Sequence, residues 1–254
     1  MKISLSVVII TFNEERNIGR CIDSVRDIAD DIVVIDSFSK DRTKEICLEK
    51  GVRFVEHAFE GHIQQKNFAI TQAAYPHVLS LDADEAPDEI LRESIRKVKE
   101  NFEADGYSMN RLTNYCGHWV RHCGWYPDRK LRLWNSRKGQ WTGLNPHDRY
   151  EMEKGSVISH LPGDLLHYSY YTREDHLKQI QKFTDILAKS MFDAGRRTSW
   201  PGIIAATVFK FIRDYILKLG ILDGKAGFTI SWLSAGASFK KYRKLLLLQK
   251  NTSK

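Results

Sequence analysis

The fold is decided by the segment His77-Val78-Leu79-Ser80-Leu81-Asp82-Ala83-Asp84-Glu85, where an apolar run leads directly into three crowded carboxylates. The apolar residues predict a buried strand, and Pro87 just beyond the acids is typical of the first turn of a helix. Ligands of open α/β sheets bind at the carboxyl ends of the strands. We therefore expect Asp82 and Asp84 to lie at the ligand-binding edge of a sheet.

Asp82 and Asp84 carry the hard oxygen ligands that suit Mg²⁺ or Mn²⁺. Proteins usually hold such an ion through one or two carboxylates, and water and substrate phosphates complete the coordination. Acidic pairs with this spacing also occur in solvated turns and helix caps, so the spacing alone leaves that alternative open. The position after a buried strand favours the metal, and with it a substrate that carries a nucleoside diphosphate.

Apolar strands and amphipathic helices alternate on both sides of this segment, which predicts a β-α-β-α-β-α-β order. Continuous β-branched runs are typical of parallel strands buried on both faces, and we expect right-handed crossovers. Predicted strands cover residues 4–10, 31–35, 52–55 and 78–81, and predicted helices cover residues 14–25, 42–50, 62–74 and 87–102.

Residues 106–150 are rich in Trp, Tyr, Arg and Gly, and residues 130–134 alternate at period two. Such alternation predicts antiparallel strands added to the sheet. A strand over residues 161–171 and a helix over 174–194 complete a first domain of residues 1–195. The predicted class is α/β, with a mixed, mainly parallel sheet and flanking helices.

The composition is that of an ordinary globular protein, because 42% of the residues are hydrophobic and 28% are charged. These values argue against disordered and fibrous classes. No secretory signal is visible, since the apolar residues 5–10 lead into polar residues without a small-residue cleavage site. We expect the chain to stay in the cytoplasm.

The net charge of +7 is concentrated in residues 196–254, which contain 12 Lys or Arg and only two Asp. This tail therefore carries +10 and the rest of the chain −3. Residues 203–219 are largely apolar, yet Lys210, Arg213, Asp214 and Lys218 recur at helical spacing on one face. That pattern is typical of a helix that lies in a membrane interface.

Residues 226–239 are uncharged, and a basic cluster follows them at residues 240–244. A cluster of this kind can bind anionic lipid. No uncharged apolar run is long enough to span a bilayer. We expect residues 196–254 to form an amphipathic helical tail that contacts an anionic membrane. The alternative, a tail that packs on the protein itself, stays open.

Four cysteines are too few and too dispersed for a disulfide framework. Cys116, His118, His122 and Cys123 offer zinc-ligand chemistry within eight residues. A strand would direct these side chains to opposite faces, and the neighbouring glycines indicate turns, so the sequence disfavours a zinc site.

Polar motifs follow each of the first four predicted strands, and together they resemble family 2 glycosyltransferases. The sequence is most similar to the lipopolysaccharide-core β-1,4-glucosyltransferase group. The motifs are Thr11-Phe12-Asn13-Glu14, Asp36-Ser37-Phe38-Ser39-Lys40-Asp41-Arg42-Thr43, Gln65-Lys66-Asn67 and Asp82-Ala83-Asp84, supported by Gly124-Trp125-Tyr126-Pro127-Asp128, His147-Asp148, His167-Tyr168-Ser169 and Asp223-Gly224-Lys225-Ala226-Gly227.

The resemblance implies a GT-A fold, a nucleotide-sugar donor and inversion at the anomeric carbon. It places Thr11, Asn13 and Glu14 beside the nucleotide and Asp36 at the base or ribose. Lys66 is expected to neutralise the diphosphate or to shape the base pocket. The alternative for Lys66 is a surface lysine on its helix.

Asp84 is the first expected metal ligand, and Asp82 is expected to ligate through water or to hold the ribose. His167 is expected to contact the metal or a phosphate, although a lone histidine in this context is often a core residue. These three residues make up the predicted metal set.

A catalytic base must take the proton of the attacking hydroxyl, and Asp148 is the first candidate. Sequences related to this one commonly carry Glu after the histidine, and Asp is one methylene shorter. Asp128 and Glu85 are the alternates. A salt bridge to Arg149 or another arginine is the competing interpretation for Asp148.

Aromatic residues between positions 119 and 141 are dense enough to line a sugar-binding cleft. Trp125 and Tyr126 are the most favoured sugar contacts, although most aromatics fill cores. The sequence thus predicts a metal-dependent inverting hexosyltransferase that moves glucose from UDP-glucose to a lipopolysaccharide-core or other lipid-linked glycan.

The expected place of action is the cytoplasmic face of the inner membrane. A polyprenyl-phosphate or capsule intermediate is the alternative acceptor. A basic nucleic-acid-binding protein is the alternative from another class. It is disfavoured because such a protein has no use for carboxylates at strand ends, so no nucleic-acid partner is expected.

Overall fold

A computed structural model of the protein describes residues 1–144 and 147–252. The chain divides into two compact units, the first comprising Met1–Arg111 and Asp128–Tyr168, the second comprising Leu112–Pro127 and Ser169–Lys254. The boundary predicted between residues 195 and 196 falls inside the second unit. There, helix Arg173–Asp193 packs against the C-terminal helix, and Lys244 Nζ lies 2.6 Å from Asp185 Oδ1.

Eleven strands and seven α-helices are assigned in the described part of the chain. The strands are β1 Leu5–Thr11, β2 Asp31–Asp36, β3 Arg53–Glu56, β4 His77–Asp82, β5 Glu85–Pro87, β6 Gly106–Tyr115, β7 His118–Trp119, β8 Asp128–Asn135, β9 Gly139–Leu144, β10 His147–Met152 and β11 Ile158–Tyr170. The helices are α1 Ile18–Val25, α2 Thr43–Glu49, α3 His62–Thr71, α4 Glu89–Glu100, α5 Arg173–Asp193, α6 Trp200–Ile212 and α7 Gly224–Thr252.

The main sheet has the strand order β3-β2-β1-β4-β8-β6-β11-β5, and β7 pairs with β6. Strands β3, β2, β1 and β4 are parallel, whereas β8 pairs antiparallel with both β4 and β6. Strands β9 and β10 form a separate antiparallel pair. The predicted α/β class with a mixed sheet and flanking helices is confirmed.

The core of the first unit follows the predicted apolar pattern. Val7, Val8 and Ile9 of β1 are fully buried, as expected for a central parallel strand. Helix α1 buries Ile18, Cys21, Ile22 and Val25, which recur at helical spacing. It begins at residue 18 rather than 14, because residues 14–17 form a turn before it. The turn is closed by a hydrogen bond from the Asn17 N–H to the Glu14 carbonyl at 2.9 Å.

The tail differs from its prediction in the orientation of its charged residues. Asp214 is buried, and its carboxylate lies 2.7 Å from Lys210 Nζ and 2.9 Å from Arg213 Nη2. The predicted charged face therefore holds a satisfied ion-pair cluster around a buried acid. Helix α7 runs from Gly224 through the uncharged stretch and the basic cluster at residues 240–244.

His176 is buried in an aromatic cluster of the second unit. Its ring centroid lies 5.4 Å from that of Tyr115 and 5.0 Å from that of Tyr170, and its Nδ1 lies 3.2 Å from the Tyr115 hydroxyl. Burial disfavours the charged imidazolium and lowers the pKa of His176 to about 4. The folded protein therefore keeps this histidine neutral at pH values where the unfolded chain is already protonated.

We expect His176→Phe to weaken the acid sensitivity of the fold. In the unfolded chain His176 binds a proton below its pKa of 6.5, whereas in the folded protein it does so only near pH 4. The unfolding free energy is therefore highest above pH 6.5 and falls as the pH drops from 6.5 toward about 4. Between pH 7 and pH 4.5 the wild type should lose about 2 kcal/mol more unfolding free energy than the variant. Urea unfolding at both pH values measures the difference. Equal losses in the two proteins would contradict the assignment.

Candidate active site

The carboxyl ends of β1, β2 and β4 bring the predicted nucleotide and metal residues to one edge of the sheet. In the strand register Thr11 pairs with Asp36, and Ile10 pairs with Asp82. The parallel arrangement thus places residues far apart in sequence side by side. Thr11 Oγ1 is buried and, within the described residues, has no hydrogen-bond partner. An unpaired buried hydroxyl costs free energy unless a polar ligand satisfies it, so this edge suits a polar ligand.

The loops after β1 and β2 are tied together by hydrogen bonds. The Asn13 N–H donates to Ser39 Oγ at 2.7 Å, and Asn13 Oδ1 accepts from the Lys40 N–H at 2.8 Å. Asp36 is buried and accepts hydrogen bonds from both the N–H and the hydroxyl of Ser39. Two predicted nucleotide residues therefore also fix the shape of the loops that would surround a nucleotide.

Asp41 stabilises its own turn. Its Oδ1 accepts from the Thr43 N–H at 3.0 Å and from the Thr43 hydroxyl at 2.6 Å, and its Oδ2 accepts from the Glu15 N–H at 3.0 Å. This is the local role that an Asx side chain commonly takes. It links the β2 loop to the turn before α1.

Glu14 occupies a partly buried position next to the acidic cluster. Burial raises the pKa of Glu14 to about 7, Asn17 opposes the shift through a hydrogen bond, and the charges of Asp84 and Asp41 add to it. The side chain of Asn17 donates to Glu14 Oε2 at 2.6 Å. The raised pKa of Glu14 thus comes mainly from burial, and the nearby carboxylates add a smaller contribution.

Arg132 is the main cation of this cluster, and the sequence analysis did not identify it. Its Nη2 donates to Glu85 Oε1 at 2.7 Å and to Asp82 Oδ2 at 3.0 Å. The Asp82 N–H in turn donates to Glu85 Oε2 at 3.1 Å. Arg132 and Glu85 are both buried, so their charges are held against each other away from water.

Lys66 joins this cluster to the predicted base. Its Nζ lies 2.8 Å from Asp148 Oδ2 and 3.2 Å from Asp82 Oδ1, and it stands 4.5 Å from the ring centroid of Trp141. Only 4% of Lys66 is exposed, so it is not the surface lysine of the alternative interpretation. The competing salt bridge of Asp148 does exist, but its partner is Lys66 rather than an arginine.

The carboxylate of Asp82 is held in its ionised form. Burial opposes ionisation, but the nearby charges of Lys66 and Arg132 outweigh it and keep the pKa of Asp82 well below its usual range. With both oxygens already facing cations, Asp82 favours a role in holding the site or a ribose over direct metal ligation.

The residues next to Lys66 explain the rest of its motif. Gln65 Nε2 donates to Ser37 Oγ at 3.1 Å, which ties α3 to the loop after β2. The Asn67 side chain donates to the Trp141 carbonyl and accepts from the Trp141 N–H, each at 3.0 Å. Three consecutive residues of α3 therefore attach the loop after β2, the carboxylate cluster and strand β9.

Asp84 and His167 form the candidate cation site. Asp84 Oδ2 lies 3.2 Å from His167 Nε2, and the Tyr168 N–H donates to the Asp84 carbonyl at 2.9 Å. The β5–β11 ladder positions both residues, because Glu85, which follows Asp84, pairs with His167. Arg20 covers the ring of Tyr168 at 3.3 Å from its centroid.

One carboxylate and one imidazole fit a divalent cation that completes its coordination with phosphates and water. Among the side chains that the structure describes, no three His, Cys, Asp or Glu groups are placed together to hold a metal ion.

The alternate bases are placed less favourably than Asp148. Glu85 is fully buried and both of its oxygens accept hydrogen bonds, which favours a structural role. Asp128 Oδ2 accepts from Arg111 Nη2 at 2.7 Å, and its Oδ1 lies 3.0 Å from Lys130 Nζ. Burial opposes ionisation of Asp128, but these two cations outweigh it and lower its pKa.

The aromatic residues have mixed roles. Trp134 is fully buried and stacks on Tyr150 with centroids 3.8 Å apart. Trp141 lies beside Lys66, as described above. In the second unit, the ring centroids of Trp125 and Tyr115 lie 6.0 Å apart, and Arg121 Cζ lies 5.4 Å from the ring centroid of Tyr126. The predicted sugar contacts of Trp125 and Tyr126 stay predictions.

The cysteine and histidine residues weighed as zinc ligands lie in the second unit. His118 Nε2 and His122 Nδ1 lie 3.3 and 3.1 Å from Asp223 Oδ1. Cys123 is buried with its sulfur 3.6 Å from the Gly227 carbonyl, whereas Cys116 is exposed. The two histidines therefore share a carboxylate instead of converging with the two thiols.

A family model decides the classification. The model described as glycosyl transferase family 2 matches residues 6–156, which include the carboxyl ends of β1, β2 and β4. The chain belongs to glycosyl transferase family 2. The fold class predicted from the motifs, a GT-A arrangement with a helical C-terminal tail, is consistent with this family and with the observed sheet.

Relatives of this family 2 member extend over almost the whole chain. The lipopolysaccharide core biosynthesis glycosyltransferase LpsC of Rhizobium meliloti is 26% identical over 95% of this chain and 94% of its own length. An uncharacterized glycosyltransferase of Rickettsia bellii is 28% identical over 95% of this chain and 85% of its own. The predicted resemblance to the lipopolysaccharide-core group is confirmed.

Among solved structures, glucosyl-3-phosphoglycerate synthase from Mycobacterium tuberculosis, in complex with Mn²⁺, UDP and glucosyl-3-phosphoglycerate, is similar over 44% of each chain. The identity is 21% and the TM-score is 0.38.

We expect Arg132→Met to destabilise the family 2 domain by about 3–5 kcal/mol, because it leaves Glu85 and Asp82 without their buried cation. Arg129→Met is the matched control, since Arg129 lies three residues away on the same strand and is exposed. It should change the unfolding free energy by less than about 0.5 kcal/mol. Urea titrations of both variants measure the effects. Similar small losses in the two variants would show that the buried cluster is not a stabilising element.

Proposed function

We propose that this family 2 protein is a metal-dependent inverting hexosyltransferase. Its donor is UDP-glucose, and its acceptor is a lipopolysaccharide-core or other lipid-linked glycan at the cytoplasmic face of the inner membrane. The observation that carries the proposal is a pair of contacts near the carboxyl end of β4. Asp84 lies beside His167, and Lys66 pairs with both Asp82 and Asp148.

The reaction needs stabilisation of negative charge. Breaking the bond between the anomeric carbon and the diphosphate leaves that charge on the nucleoside diphosphate. A divalent cation held by Asp84 and His167 would supply Lewis-acid stabilisation to the phosphate oxygens. Lys66 adds a fixed positive charge in a buried position, where electrostatic interactions are stronger than in water. Arg132 and Glu85 keep Asp82 in place beside Lys66.

Asp148 supplies the base in this proposal. The acceptor hydroxyl oxygen attacks the anomeric carbon, its proton passes to Asp148, and the bond to the diphosphate oxygen breaks on the opposite face. The ion pair with Lys66 fixes the position of the Asp148 carboxylate, which proton transfer requires. The shorter Asp side chain is thus compensated by an anchoring lysine.

The nucleotide is bound at the loops after β1 and β2. Asn13, Asp36 and Glu14 border it, and Thr11 offers a buried hydroxyl without a partner in the described chain. Phe12 and Phe38 lie in these two connected loops, and their exposed fractions are 56% and 53%, respectively. An exposed ring in either loop provides an apolar face for the base.

The nature of the acceptor is inferred from two observations. The relative from Rhizobium meliloti is named for lipopolysaccharide core biosynthesis, and the match covers both proteins almost completely. The basic tail suits a phosphorylated, membrane-bound acceptor. A polyprenyl-phosphate or capsule intermediate has the same chemistry and is the second candidate. A nucleic-acid partner is disfavoured, because carboxylates at the sheet edge repel phosphates in the absence of a cation.

We expect Asp84→Ala to lower hexose transfer by about 10²–10³-fold, because the cation loses its carboxylate ligand. The measurement is a transfer and donor-hydrolysis screen across nucleotide sugars with Mn²⁺, Mg²⁺ or a chelator. Asp23→Ala, which removes an exposed carboxylate on α1, is the control and should behave as wild type. Equal turnover by wild type and Asp84→Ala would remove Asp84 from the metal site.

We expect Asp148→Asn to lower transfer by about 10²–10⁴-fold while donor affinity changes only a few-fold. The amide keeps the size of the side chain but does not accept the proton. Calorimetric titration with UDP-glucose and a metal ion, combined with initial rates, separates the two effects. Loss of donor binding together with an unchanged turnover number would assign Asp148 to donor binding instead of proton transfer.

A further inference from the structure

The second unit exposes a set of large apolar side chains along helix α6 and the turn that follows it. They recur every four residues, and between 41% and 57% of each is exposed: Trp200, Ile204, Val208, Ile212 and Ile216. The helix begins with a Ser199 cap and Pro201 in its first turn, so its start is well defined. An exposed apolar row on a well-capped helix requires an explanation other than fraying.

The row continues along a π-helical segment, Arg213–Leu217, and a 3₁₀ helix, Gly220–Asp223, and then onto α7. Leu217, Ile221 and Leu222 are 56% to 65% exposed. On α7, Trp232 is 62% exposed and stacks near Phe228, with ring centroids 6.3 Å apart.

Aromatic contacts join the two helices. Phe211 of α6 lies 6.0 Å from Phe228 and 6.3 Å from Trp232, measured between ring centroids. The exposed apolar residues of α6, of residues 216–222 and of α7 up to Trp232 therefore form one region, called here the apolar tail surface.

The polarity of this region is reversed relative to an ordinary surface helix. Its acid, Asp214, is buried and paired with Lys210 and Arg213, whereas its aliphatic residues face outward. Contiguous apolar patches of this kind are rare on soluble proteins and mark interaction sites. Because Asp214 is already paired with Lys210 and Arg213, the outward-facing side chains of this surface are suited to contact an apolar environment.

The charge of the tail identifies that environment. Residues 196–254 carry +10, and exposed Lys218 and Lys225 lie on either side of the turn that holds Leu222. Basic residues beside exposed Leu, Ile and Trp suit an anionic lipid surface, where the charges meet headgroups and the apolar side chains enter the acyl boundary. In the described chain no helix is both long and apolar enough to cross a bilayer.

We propose that the apolar tail surface inserts into one leaflet of an anionic membrane and holds the enzyme there as an in-plane anchor. In this anchor the aliphatic residues enter the membrane, whereas Lys210 and Arg213 pair with the buried Asp214. The proposal deepens the proposed function by naming the membrane contact, and it rests on that function only for the location of the acceptor.

Co-sedimentation with vesicles tests the anchor. The full chain is mixed with vesicles of phosphatidylcholine alone or with an equal part of phosphatidylglycerol. We expect binding to the anionic vesicles and a loss of at least tenfold in the partition coefficient for the triple variant Leu217→Gln, Ile221→Gln, Leu222→Gln. The matched control is Leu177→Gln, Ile186→Gln, Leu247→Gln, which changes three exposed apolar residues of the same unit outside the surface. It should stay within twofold of wild type.

Insertion has a direct spectroscopic signature. Lipids brominated in their acyl chains should quench the fluorescence of the wild type, and Trp200→Phe with Trp232→Phe should remove most of that quenching. Thermal unfolding monitored by circular dichroism confirms that each variant is folded. Wild type that does not bind anionic vesicles, or a Leu217/Ile221/Leu222 variant that binds as wild type does, would overturn the proposal. A third result would also overturn the proposal: the wild type dimerises as its concentration rises and does not bind vesicles, and the Leu217/Ile221/Leu222 variant no longer dimerises.

Donor hydrolysis in vesicle-free solution keeps this test separate from the proposed reaction. The Leu217/Ile221/Leu222 variant should hydrolyse the nucleotide sugar at the wild-type rate while it fails to bind vesicles. Absence of hydrolysis in the wild type would count against the proposed function and would leave the vesicle result standing.

Discussion

Two buried cations, Lys66 and Arg132, hold three carboxylates at the end of strand β4, and this charge balance constrains the whole site. Asp82 faces both cations, Glu85 faces Arg132, and Asp148 faces Lys66. Charges taken out of water are costly unless each has a well-placed partner. Because the partners come from α3, β4, β5, β8 and β10, the network is satisfied only when all five elements are in place. The same contacts that assemble the domain therefore position the groups that the chemistry needs.

The network also gives different partners to acids that look equivalent in the sequence. Asp82 and Glu85 are committed to the buried cations, which leaves Asp84, beside His167, with the donor set of an open cation site. Asp148, the base in the proposed reaction, is anchored by Lys66 and is partly accessible. A cluster of four acids can thus serve three separate purposes, because burial and partner distance differ at each position.

The sequence predicted the strand ends well, because apolar runs and the motifs after them depend on local patterns. The register that places Thr11, Asp36 and Asp82 side by side follows from parallel pairing of those runs. Arg132 could not be identified, since its alternating strand resembles one with a solvent-exposed polar face, although Arg132 itself is buried. The tail prediction found the helices but not their orientation. Whether Asp214 points inward depends on the packing of α6 against α7, which periodicity does not encode.

Lys66 couples the carboxylate cluster to Asp148, and a double-mutant cycle measures the strength of that coupling. Lys66→Met, Asp148→Asn and the double variant are compared by urea unfolding at neutral pH. We expect a coupling free energy of about 1–3 kcal/mol, because each single change removes one charged partner of the other group. Additive effects, within about 0.5 kcal/mol, would contradict it.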